Sequence, residues 1–153
     1  GKGNKLSEEQ LNFLRQLDYS ENFSIGGTVK LKYPKREGYE ESYFNPHLTV
    51  VPEKEAEYSE GVEKIIAVLD KEVTPYTLGM ESRTMRPAKM YFTITKTGEM
   101  KDLRVVLTSG HQSIDEKTLE VFSNLKGTWT PAEDIDGNKV DQELVVSFGT
   151  DGC

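Results

Sequence analysis

Between residues 88 and 148 the spacing of apolar positions changes twice, and each change marks a new element. Met90, Phe92 and Ile94 alternate with Tyr91, Thr93 and Thr95, and Leu103, Val105 and Leu107 repeat that period of two. Such alternation predicts two half-buried strands, and Lys96-Thr97-Gly98-Glu99 between them predicts a short hairpin turn. The six apolar residues are expected to share one face, with Thr93, Thr95 and Arg104 pointing away. The period then lengthens. Ser113 and Glu116 have the S-x-x-E spacing of a capping box, and Leu119, Phe122 and Leu125 form one apolar stripe over the following turns. Gly127 is placed to end this helix in a left-handed C-cap. After a bend at Trp129-Thr130-Pro131-Ala132 and a turn at Asp136-Gly137, alternation returns over 140–148 with Leu144, Val146 and Phe148 on one face.

Upstream, Ser59 is a candidate N-cap, and Val62, Ile65, Ile66 and Leu69 occupy the i, i+3, i+4, i+7 positions of a buried helical stripe. Pro75 is expected to stop that helix, leaving 76–87 as a connector rich in Met, Thr and Arg. The expected fold class is α+β: two helices packed on one face of a three-stranded antiparallel sheet, in the order α-β-β-α-β.

The first fifty residues read separately. Leu6 to Leu11 is a helix start, with Ser7 as cap, Gln10 reaching back and Leu6 able to staple onto Leu11. From Ile25, Val29, Leu31 and Tyr33 alternate with Thr28, Lys30 and Lys32, which predicts a half-solvated strand ended by Pro34. The charged and aromatic segment 34–46 is expected to be a loop and 48–51 the returning strand. The short acidic run 52–57 is the best boundary. Residues 1–52 are therefore taken as an N-terminal extension of helix plus hairpin, 53–149 as the main domain and 150–153 as a disordered tail.

A hairpin centred on Thr97-Gly98-Glu99, a second strand ending in Thr108-Ser109-Gly110, a helix opening with Ile114-Asp115, the Trp129-x-Pro131-Ala132 bend, Asp136-Gly137-Asn138-x-Val140 and a closing apolar strand together resemble the TonB C-terminal domain family. The resemblance spans roughly 57–149. Two positions depart from the family pattern: Thr74-Pro75-Tyr76 stands where Tyr-Pro is usual before the hairpin, and Ala88 where a glycine often opens the first strand.

Composition narrows the function classes. The chain has 153 residues, 35% hydrophobic and 29% charged, with a formal net charge of -7. A domain of this size buries enough surface to fold without a staple, and the acidic balance opposes a nucleic-acid partner, which needs clustered Lys and Arg. No apolar run approaches the roughly 18 residues of a membrane span. Gly1 has the look of a cleavage product, so a signal or anchor is expected to precede it in the natural protein. Cys153 is the single cysteine, which excludes an internal disulfide.

Candidate chemistry is sparse, and no catalytic residue, cofactor or metal site is assigned. His47 and His111 lack the i, i+4 partner of a helical metal site, and Ser109-Gly110-His111 is not a nucleophile elbow. His111 is expected to be exposed in a strand-to-helix loop. Asp134, Asp136 and Asn138 alternate like half a calcium loop without its distal glutamate, which favours a solvated turn. Trp129, with Pro131, is expected to be a structural aromatic fixing the bend.

What remains is the edge of the sheet. The final strand contains no proline and carries charge only at its start, so it can template an added strand. Five or six backbone bonds at about 1 kcal/mol each against an association cost of at least ~4 kcal/mol predict micromolar or weaker affinity. The resemblance implies the same use: a periplasmic domain of Gram-negative bacteria, in the full-length protein tied to the membrane by an anchor, that captures a peptide segment of an outer-membrane transporter and supports TonB-dependent transport. The matching positions for partner binding are Tyr76, Gln142, Leu144, Val145, Val146, Ser147 and Phe148. The alternative is a structural envelope domain that uses the same edge to self-associate as a homodimer.

Overall fold

The computed structural model describes residues 3, 5–35, 37–78 and 85–149. The chain divides into two units, 1–51 and 52–153. It is α+β, with three helices and several small antiparallel sheets among the described residues.

In the first unit, helix α1 (Glu8–Leu14) opens on the expected capping box: Ser7 Oγ accepts from the Gln10 N–H, and the Gln10 side chain accepts from the Ser7 N–H. Strand β1 (Asn22–Ser24) pairs with β4 (His47–Thr49), and β2 (Gly27–Leu31) pairs with β3 (Glu40–Phe44). The segment expected to be a loop therefore supplies the strand that returns against β2, and 47–49 returns against β1 instead. The cause is cross-strand. Phe44 lies opposite Gly27 and its ring fills the space above that glycine, while the Tyr43 hydroxyl covers Gly26. A ring over a bare backbone position gives β3 a partner that its own charged sequence does not advertise. No described side chain of this unit is fully buried.

The second unit begins with β5 (Glu57–Tyr58) and α2 (Val62–Thr77), continues through the hairpin β6 (Ala88–Ile94) and β7 (Met100–Leu107), and then forms α3 (Gln112–Ser123). It closes with β8 (Trp129–Thr130), β9 (Ala132–Glu133), β10 (Lys139–Val140) and β11 (Gln142–Phe148). The central sheet has the order β11-β6-β7, all antiparallel. The β6–β7 turn is as expected: the Gly98 N–H donates to the Thr95 carbonyl (2.8 Å), the Thr95 N–H to the Glu99 carbonyl (2.9 Å), and Gly98 takes φ +84°. Asp134-Ile135-Asp136-Gly137 forms the turn between β9 and β10, with the Asp134 carboxylate accepting from the backbone of Asp136 and Asn138.

Tyr58, Ile65, Ala88, Met90, Phe92, Ile94, Ile114, Phe122 and Phe148 form one buried cluster, so α2, α3, β6 and β11 all contribute to one core. The ring of Phe92 lies 5.5 Å from those of Phe122 and Trp129, in tilted geometry.

Several local expectations are corrected. Pro75 does not stop α2, which runs on to Thr77; so close to the end, the bond lost to the proline nitrogen belongs to a turn that is already fraying. Tyr76 is thus helical, and part of the expected connector, 79–84, lies outside the described residues. Helix α3 starts at Gln112, one residue before Ser113, with His111 half-buried at the N-cap and Gln112 Nε2 donating to Glu116. The first turn is anchored by Asp115, which accepts from the Thr108 hydroxyl (2.5 Å) and the Ser109 N–H (3.1 Å). Ser59 does not cap α2; its Oγ accepts from the Thr128 N–H, and Gly61 holds the cap position. Val62 and Ile66 of the expected buried stripe are 60% and 43% exposed. Finally, β7 is bulged twice. Asp102 takes φ +55° inside one irregularity, and the other shifts Leu107 out of line with Val105, opposite Lys89 and 48% exposed.

Candidate functional site: an edge strand beside an apolar groove

Of the two edge strands, β7 is interrupted and β11 is not. Seven consecutive pairs, from Gln142 opposite Ile94 to Phe148 opposite Ala88, join β11 to β6 without a register shift. Among the described residues no strand pairs with the other side of β11. Alternate N–H and C=O groups of a strand in that position point away from its sheet and are available to another chain.

A groove of about 670 Å³ lies along this edge. Leu144 and Val146 of β11 line it together with Phe92 and Trp129; Ile65, Ile66 and Leu69 of α2 form the facing wall, and Ala56 to Tyr58 close one end. The wall exists because the apolar stripe of α2 is wider than its buried contact. Ile65 is 6% exposed, whereas Val62 and Ile66 remain open to solvent beside the edge. An apolar cleft of this size that adjoins free backbone donors and acceptors suits an extended peptide.

Charge is arranged on the other face. Arg104 of β7 lies over the ring of Tyr91, 5.7 Å from its centroid, and its Nη2 reaches Glu143 of β11 at 2.6 Å. Lys101 Nζ meets Asp141 at 3.1 Å, and the Asp141 carboxylate also accepts from the Lys96 N–H at 2.8 Å. The Lys96 backbone bond, followed by the Lys101 ammonium, holds the Asp141 carboxyl below its ordinary range. These exposed pairs are individually weak. Their effect is positional: two cross-sheet ties link β11 and Asp141, the residue just before it, to the β6–β7 hairpin on the face opposite the buried residues.

The residues expected to bind a partner separate into three groups. Leu144, Val145, Val146 and Ser147 line the groove, with Val145 52% exposed. Gln142 and Phe148 are buried, at 3% and 7% exposure; Gln142 Oε1 accepts from the Ala56 N–H at 2.7 Å and its Nε2 donates to Glu55 at 3.0 Å. Tyr76 sits near the far end of α2, outside the groove lining, with Lys117 Nζ 5.9 Å from its ring centroid. The hydrogen bond that Lys117 Nζ donates to the Glu120 carboxylate is the main reason the ammonium holds its proton more tightly than an ordinary lysine. Trp129 is half-buried, packs on Tyr58 with centroids 5.2 Å apart and lines the groove. The wall residues Ile65, Ile66 and Leu69 and the end residue Tyr58 are not among the expected contacts. The signal for the three wall residues is an apolar helical stripe broader than one sheet edge can cover.

Among the described residues no group of three or more His, Cys, Asp or Glu side chains is placed to hold a metal, and no helix is long and apolar enough to cross a membrane. Residues 87–149 match the family model described as Gram-negative bacterial TonB protein C-terminal. No curated protein and no solved structure gives a significant match to the chain. The matched segment holds the whole central sheet, α3 and the edge strand, and leaves out α2 and the first unit. Over residues 87–149, less than half of the chain, the protein is similar to the TonB C-terminal domain family.

Proposed function

We propose that this chain is a periplasmic, TonB-like protein-interaction module, without catalytic activity, that captures an extended segment of an outer-membrane transporter by strand addition to β11 and thereby supports TonB-dependent transport. The observation that carries the reading is the contrast between the two edges: β7 is bulged in the way proteins use to block strand pairing, while β11 is regular over seven residues and flanked by an apolar groove. The match of 87–149 to the TonB C-terminal family model supports the periplasmic setting. Both helices covering one face of the sheet is part of this reading, supported by the core that Ile65, Ile114 and Phe122 share with β6.

In such a complex the guest backbone bonds to β11 and every second guest side chain enters the groove, against Leu144, Val146 and Ile66. The backbone term is small, about 1 kcal/mol per bond, so apolar side chains at alternating positions supply much of the selectivity. Titration of N-terminal transporter peptides into the labelled protein, followed by the amide resonances of Leu144 to Phe148, tests this. Saturable shifts there are expected; unchanged resonances at millimolar peptide overturn the reading. Light scattering on the free protein separates peptide capture from a homodimer formed through the same edge.

A further inference from the structure

The chain enters the second unit along a stitched path. Lys54 and Glu133 exchange two backbone hydrogen bonds (3.1 and 2.8 Å), Glu57 and Tyr58 pair with Thr130 and Trp129, and the Ser59 N–H donates to the Thr128 carbonyl at 2.8 Å. Between these bonds, the Ala56 N–H is taken by a side chain, that of Gln142, the first residue of the edge strand. Glu55 accepts the other half of the same amide. Gln142 is almost wholly buried, and its polar atoms are turned to this entry segment rather than to a ligand. Ala56, Glu57 and Tyr58 close the groove at one end, while Leu144 to Ser147 run along its side.

We infer that residues 54–59 form a stop, pinned by Gln142, that sets the register of a strand added to β11. This rests on the strand-addition reading above and extends it. An open edge with period-two side chains permits slippage, and a slip of one residue turns every inward side chain outward. A fixed obstruction at the Gln142 end removes that freedom. A guest strand aligns beside Leu144 to Phe148, a span of about 16 Å at roughly 3.3 Å per residue, and cannot continue past Gln142 while the pin holds. Gln142 is a positioning residue: it touches the stop, and the stop touches the guest.

A peptide-length series tests this on the full chain. The probes are synthetic Thr-Val repeats of five and ten residues, each flanked by lysines to suit the acidic protein. In the wild type the two are expected to bind within about twofold of each other, with amide shifts running from Leu144 to Phe148 and absent at Gln142 and Ala56. Gln142→Met, which keeps the volume and removes both hydrogen bonds, is expected to bind the ten-residue peptide about fivefold or more tighter than the five-residue one, the equivalent of one added backbone bond, with shifts spreading to residue 142. Ala56→Pro removes the donor from the other side and is expected to give the same length dependence should Gln142→Met not fold. The proposal is overturned if the wild type already shows that length dependence with shifts at Gln142 and Ala56, or if the folded variants keep the wild-type behaviour. If neither peptide moves any β11 amide in the wild type, the strand-addition reading itself fails.

Discussion

The Gly127 N–H donates to the Tyr58 hydroxyl at 2.8 Å, and the Tyr58 ring occupies the space that a side chain on residue 127 would need. Gly127 was expected as a left-handed helix cap, but α3 ends earlier, at Ser123, with Asn124 as its cap. The glycine is required by a ring 69 residues away, and through it the segment after α3 is joined to the closed end of the groove. Gly127→Ala should destabilise the second unit by about 1–3 kcal/mol, the usual range for overpacking. Tyr58→Phe, which removes only the acceptor, should cost about 1 kcal/mol. Urea denaturation of both variants checks the order; an alanine variant as stable as the wild type would show that the ring is free to move aside.

Gly98 has a sharper constraint. Its φ of +84° disfavours any other residue, and an added Cβ would lie 2.6 Å from the Trp129 carbonyl oxygen. Gly98→Ala is expected to cost about 1–3 kcal/mol, read as a lowered melting temperature, and to disturb the Trp129 fluorescence that the unmodified turn fixes.

The groove wall can be changed without touching the core. Ile66 is 43% exposed and lines the groove, so Ile66→Glu should alter stability by less than about 0.5 kcal/mol while weakening transporter-peptide capture tenfold or more. Calorimetric titration beside a thermal melt separates these effects. A variant that melts as the wild type and still captures peptide would place the guest elsewhere.

Asp141 gives a pH dependence of known sign. Its folded-state pKa is lowered, first by the Lys96 backbone bond and then by Lys101. A depressed carboxylate adds stability that is present above its unfolded pKa, near 4, and is lost as the pH falls through the lower folded value. The stability difference between wild type and Asp141→Asn should therefore be constant from neutral pH down to about 5 and shrink below about 4. Denaturation at pH 3, 5 and 7 checks this, and a difference that grows on acidification would contradict the assignment.

The two units are expected to differ in autonomy. The core cluster lies within 52–153, whereas no described side chain of 1–51 is fully buried. A fragment of residues 52–153 should melt cooperatively and keep peptide capture, and a fragment of residues 1–51 should melt without a sharp transition. Circular dichroism of both fragments decides; a broad, non-cooperative melt of 52–153 would make the first unit part of the fold.

What could be read from residues alone was whatever closes within a few positions. The Ser7–Gln10 box, the Thr95–Glu99 turn, the Asp134–Asn138 turn and the alternation of β6 and β11 depend on neighbours four or fewer residues apart, and all stand in the structure. Even local signals fail when a distant group competes for the same atoms. Ser59 satisfies Thr128 instead of capping α2, and a bulge moves Leu107 off the face its spacing implied. The edge position of β11, the open flank of α2 that makes the groove wall, and the turning inward of Gln142 toward Ala56 were settled only by tertiary structure. Each joins segments dozens of residues apart, and backbone pairing at that range depends on which surfaces remain after the core has closed, which no run of adjacent side chains encodes.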